Sequence, residues 1–318
     1  MSAGIWDIAI LVSKWLSYMA MLAIPGAVFV AWLCRQVPTG GPELGKGLIS
    51  HYLLPATVLG ILASSLFFLF QVGAVNQRGL GGMFDPVISQ ILAQTTLGDG
   101  LRWRLSGFFL ALIAAGLWYI ARSWPSAATA TKKVPWILSA QVLTILAAGA
   151  LLCMAVSFAV LGHVSELGIV SRLMLVLHIS AVCLWIGALI PLHVVCRSGA
   201  RDKSEMDRHA VHMLMVLFGQ AAWIVLGVLL VSGLYLAWRL SGGLSGLLTS
   251  SYGQWLLLKL LLVVALLGLS ARHRFFLVPE LVLSGARYLR RSIGFQIALA
   301  ASVLLITAAL TTLAGPPG

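Results

Sequence analysis

Eight stretches of this chain run for about 20 residues or more with almost no charge, the length a helix needs to cross the hydrocarbon core of a bilayer. They lie near Ile5–Leu33, Leu48–Val72, Trp103–Ala121, Val134–Leu161, Leu173–Val195, Ala210–Trp238, Gln254–Leu277 and Ile293–Leu313. Only 9% of the 318 residues are charged and 60% are hydrophobic, whereas a soluble domain is about a quarter charged. The expected fold is an all-α integral membrane protein of about eight transmembrane helices, forming a single polytopic domain over residues 1–318. Asp7 and Lys14 sit inside the first stretch, which lacks a basic leader and a cleavage site. It reads as a retained span and not as a signal peptide.

The net charge of +12 could suggest nucleic acid. The basic residues, however, occupy short loops between apolar runs, the pattern of a protein whose loops meet anionic headgroups. Partners are therefore expected to include the lipid bilayer and no nucleic acid. The loops after spans one, three, five and seven carry most of the charge, from Arg35 and Lys46 through Arg197, Arg201 and Lys203 to Arg272, Arg274, Arg290 and Arg291. The other loops and their edges hold Arg78, Arg102, Arg104, Arg172 and Arg239. The positive-inside rule makes the first set cytoplasmic. Both termini, His163, Glu166 and the long Gly-rich loop from Gly73 to Leu101 then face outward. A loop of that length is functional or disordered more often than a plain connection. Pro25, Pro55 and Pro191 are expected to kink helices or mark their ends.

Polar groups inside a membrane span are costly and mark functional positions. His178 lies in the wall of the apolar helix Met174-Leu-Val-Leu-His-Ile-Ser-Ala-Val-Cys-Leu-Trp-Ile-Gly187, and the preceding span ends in Gly162-His163. Met174 precedes His178 by one helical turn and so shares its face. Imidazole beside thioether and thiol (Met154, Met174, Cys153, Cys183) suits copper better than a hard cation. His51 and His212 open the second and sixth spans at the inner face, with His209, Met213 and Met215 nearby. The two histidine sets would mark a way in and a way out. Met19, Met21 and Met154 are candidate thioether steps, although Met is also ordinary apolar filler.

His193 is a lesser inner candidate, and His273, within Arg272-His-Arg274, reads as part of the basic rim. Lys259 lies inside an apolar run; it should snorkel outward, pair with Gln296 or a carboxylate, or repel cations unless deprotonated. Gln71, Gln141, Gln220 and Gln296 offer interhelical hydrogen bonds worth roughly 0.6 kcal/mol each. Cys34, Cys153, Cys183 and Cys196 form neither a zinc pattern nor a disulfide framework. Nothing matches a P-loop, a nucleophile elbow or a His-Glu-x-x-His site, so no enzymatic role is expected.

The two halves, 1–161 and 162–318, look alike at two nearby offsets. Gly26 and His51 are 25 residues apart, as are Gly187 and His212. Gly98, Leu101, Arg104, Leu105 and Gln141 align with Gly253, Leu256, Lys259, Leu260 and Gln296 at a shift of 155. A true duplication would be a parallel four-plus-four repeat, an arrangement that often places substrate between the halves.

Taken together these residues resemble the CopD/PcoD copper-resistance inner-membrane family. The resemblance is carried by Gly162-His163, His178-Ile-Ser-Ala-Val-Cys-Leu-Trp185-Ile-Gly187, Phe218-Gly-Gln-Ala-Ala, Val231-Ser-Gly233-Leu-Tyr, Tyr252-Gly253-Gln-Trp-Leu-Leu-Leu-Lys259 and Thr311-Thr-Leu-Ala-Gly-Pro316-Pro317. It implies a copper permease of the bacterial inner membrane. It also implies that copper is received from a periplasmic carrier of the CopC type, with His163 and His178 as the leading positions. The rival is a b-type haem cytochrome, since paired histidines on adjacent helices hold haem in helical bundles.

Overall fold

The computed structural model describes residues 4–41, 44, 45, 52–123, 140–161, 164, 167–201, 205–281 and 286–313. In chain order it contains α1 (Ile5–Gln36), α2 (Leu54–Asn76), α3 (Pro86–Ala93), α4 (Thr96–Ser123), α5 (Ala140–Val160), α6 (Ile169–Trp185), α7 (Leu189–Arg201), α8 (Glu205–Ser241), α9 (Leu244–Thr249), α10 (Ser251–Arg272) and α11 (Arg287–Leu313). Eight helical spans are long and apolar enough to cross a membrane by length and composition, and the described residues contain no strand. The all-α multi-pass architecture read from the sequence is the architecture observed. The expected starts of the second and fourth spans lie outside the described residues.

α1 is the hub. It touches α2, α5, α6, α7, α8 and α11, and its buried residues, from Ile10 to Cys34, include apolar and small side chains on every side. One apolar cluster surrounds Tyr18, Met21, Phe108 and Met154 in the first half. A second joins Val30 and Leu33 to Trp185, Leu214 and Leu289. Outward-facing side chains are apolar as well: Ile224 is 75% exposed and Phe295 72%, as expected of surfaces solvated by lipid.

The fifth span is two helices. α6 stops at Trp185 and α7 resumes at Leu189, whose N–H bonds Ile186 at 3.0 Å. Pro191 has no N–H to offer the Gly187 carbonyl, so the helical ladder fails there. α1 presses into this break. A Cβ on Gly26 would lie 2.0 Å from the Gly187 carbonyl carbon, and one on Gly187 would lie 2.0 Å from the Leu22 oxygen. Only a glycine pair allows two backbones this close, the small-residue packing that replaces hydrophobic drive inside membranes. Pro25 lies within α1, whereas Pro55 sits in the first turn of α2, where its missing N–H costs nothing.

The segment from Gly73 to Leu101 corrects the sequence reading. It is largely helical: α2 continues to Asn76, a 3-10 turn spans Leu80–Phe84, α3 follows, and α4 begins at Thr96. Asp85 caps α3, accepting from the N–H groups of Val87 at 2.9 Å and Ile88 at 3.0 Å. Pro86 takes the first helical position, as capping chemistry prefers. Arg102, bonded to the Ala93 carbonyl at 2.9 Å and paired with Asp99, holds the start of α4.

Candidate functional site

His178 projects from the middle of α6 toward α8. Its Nδ1 lies 3.3 Å from Ser232 Oγ. The Ser232 hydroxyl donates to the Val228 carbonyl at 2.6 Å, so its oxygen is left to accept from Nδ1–H. With the Ser232 proton spent on Val228, the tautomer consistent with this contact carries its proton on Nδ1, which leaves Nε2 as the metal-binding nitrogen. Gly233 makes room for the ring: a Cβ there would stand 3.0 Å from His178 Cε1. Two turns toward the start of α6, Ser171 Oγ meets Tyr235 of α8 at 3.2 Å. The α6–α8 seam is thus a polar stripe through apolar surroundings. Lys259 of α10 acts electrostatically on His178 and has no hydrogen-bond or ion-pair partner among the described residues.

The other sequence candidates are dispersed. Met174 is half-buried one turn before His178 on α6. Met154 is fully buried on α5, packed against Gly107 of α4 and clustered with Tyr18, Met21 and Phe108, so it faces the first half while His178 faces α8. Cys183 turns to α1, with Sγ 3.9 Å from the Met21 carbonyl. Near the start of α8, His209 is exposed, His212 is half-buried, and their rings are 6.4 Å apart. His51 and His163 lie outside the described residues. Among the described residues, no three His, Cys, Asp or Glu side chains gather at metal-binding spacing.

Sequence reasoning missed three features. Arg104, read as a loop-edge residue, lies inside α4 and is 2% exposed. Its guanidinium donates to Ser157 Oγ at 3.3 Å and sits among the rings of Tyr18, Phe67 and Phe158, the last at 5.3 Å. Cation–π contact replaces the carboxylate such a cation would otherwise need. The one signal for it was its alignment with Lys259. Second, Lys14 ties α1 to the end of α11 through the Thr311 carbonyl at 3.1 Å and the Thr312 hydroxyl at 3.2 Å. Third, His273 is half-buried at the head of a π turn (His273–Leu277), bonded to Ser292 at 2.7 Å. It is not simply part of a solvated rim. Nor does Gln296 pair with Lys259; it bonds Ser270 at 2.6 Å. His193 bonds the Arg290 carbonyl at 3.1 Å on another side of α11.

Residues 212–310 match the family model CopD, described as copper resistance protein D. The matched region includes Ser232, Gly233, Lys259, His273 and Gln296. Comparison with curated proteins and with solved structures gives no match.

Proposed function

We propose, on the match of residues 212–310 to the copper resistance protein D family, that this multi-pass membrane protein moves copper ions across a bacterial inner membrane. The observation that carries the reading is His178: an imidazole within a membrane span, its Nδ1 oriented by Ser232 and its Nε2 left basic. An oriented outer partner is what a metal-binding histidine requires. Copper, as the substrate, arrives at the outer face on a periplasmic carrier of the CopC type and engages His163 and His178. Met174, one turn before His178 on α6, provides a soft thioether position along the way. Copper leaves past His51 and His212, and both termini are periplasmic. Lys259 raises the energy of a cation resting at His178, which suits passage better than storage.

The reading also takes 1–161 and 162–318 as half-repeats. In its support, Gly26 and Gly187, equivalent by sequence offset, meet at the centre of the bundle. In addition, Arg104 sits over the Tyr18 ring of α1, and Lys259, its counterpart by alignment, lies within electrostatic range of His178 on α6. The haem alternative needs a second imidazole opposite His178; among the described residues Ser232 and Gly233 occupy that side.

The test is copper flux into proteoliposomes with a trapped copper-sensitive dye. Flux should depend on the protein and fall to the protein-free leak in His178→Ala at equal incorporation. Equal flux in the variant would contradict the site, and no flux in either would contradict the activity.

A further inference from the structure

α8 and α10 splay apart beside the π turn, and a cavity of about 430 Å³ lies between them. Trp185, Met215, Phe218, Leu226 and Leu267 form its apolar body. It stays open because α8 turns Ala222 and Gly227 toward it; a Cβ on Gly227 would meet nothing within 4 Å, whereas Arg274 packs against Gly219. Its outer wall is made by Trp223, 61% exposed, and Phe275, 59% exposed. In a membrane those side chains face lipid, so the route in is from the bilayer and not from water. π turns of this kind often mark functional sites.

The polar end is Gln296 with Ser270 and His273, and Arg274 stands at the rim. Gln296 is 1% exposed. Ser270 spends its only proton on the Leu266 carbonyl at 3.0 Å. It can therefore only accept from Gln296 Nε2, and this fixes the amide orientation. The Gln296 Oε1 is then a buried acceptor with no partner among the described residues. A buried acceptor of this kind calls for a donor.

We propose that this cavity binds a lipid-borne quinol or phenol. The aromatic head lies among Trp185 and Phe218, its hydroxyl donates to Gln296 Oε1, and its tail leaves between Trp223 and Phe275 into the bilayer. Aromatic rings favour such offset and edge contacts. A phospholipid fits less well. Gln296 lies nine residues into α11, about 13 Å from its basic end. A phosphate would stay with Arg274 at the rim, and an acyl chain has no hydrogen to give Gln296. The proposal does not depend on the copper reading.

The test uses the full chain in nanodiscs, followed by quenching of tryptophan fluorescence, since Trp185 and Trp223 line the cavity. The probes are a decyl-tailed benzoquinol and its dimethyl ether, which has the same body and no donor. Quinol should quench saturably, and the ether should bind about tenfold more weakly, the worth of one hydrogen bond. Gly227→Leu, which fills open space, should abolish saturable quenching with the fold intact. Gln296→Leu should make quinol and ether equal. Equal binding of the two probes to the unaltered protein would overturn the proposal. So would non-saturable quenching, or unchanged binding in Gly227→Leu.

Discussion

His178 functions, in this account, through what holds it and what stands beside it. Ser232→Ala removes the acceptor of Nδ1–H, so copper affinity should fall about 10- to 100-fold, the usual cost of losing an outer partner; isothermal titration of purified protein measures it. Lys259→Met removes a nearby positive charge, so the same titration should show tighter binding. Weaker binding would mean that Lys259 supports the site instead of opposing occupancy. His178 was legible in the sequence because an imidazole stands out in an apolar helix. Ser232 was not, because a serine inside a span most often bonds its own helix, and only the packing of α6 on α8 turns it toward the ring. Arg104 was misplaced because it lies close to where the hydropathy of its span begins. Its burial depends on Tyr18, Phe67 and Phe158 arriving from three other helices.

Elements meet here through glycine as much as through apolar bulk. Gly26→Ala would press a methyl into the backbone of Gly187, and neither backbone can yield cheaply. Stability should fall by about 1–3 kcal/mol or more, read as a lower Tm in detergent. Gly227→Ala meets nothing and should raise stability by about 0.5–1 kcal/mol, the helix cost of glycine. The cap of α3 gives a pH dependence. The N–H of Ile88, with that of Val87 and the Asn76 amide, holds the Asp85 carboxyl below its usual range. Its contribution is complete above about pH 4, the unfolded value, and is lost as pH falls through the lowered folded one. Amide exchange at Val87 and Ile88, corrected for the intrinsic rate, should therefore accelerate on acidification. In Asp85→Asn, which caps without titrating, that dependence should vanish. The spans were legible from length and charge. The helices between Gly73 and Leu101 were not, because Gly-rich connections mask short capped turns, although Asp85-Pro86 was a readable helix start.

At the scale of the molecule, one central helix, α1, holds two groups of helices together. The all-α multi-pass bundle was legible because the apolar runs are long enough for helices to cross a bilayer and carry so few charges. The relative placement of the histidines was not readable, since it depends on rotation of each helix about its axis, which an apolar helix does not encode in sequence. That rotation turns His178 toward α8 and Met154 toward α4. The most direct test of the account is the copper content of the purified protein after copper exposure, compared with that of His178→Ala at equal helicity and Tm. The account predicts roughly one copper per chain in the unaltered protein, as a soft imidazole–thioether site would hold, and a large loss in the variant. Equal copper in both proteins would contradict it.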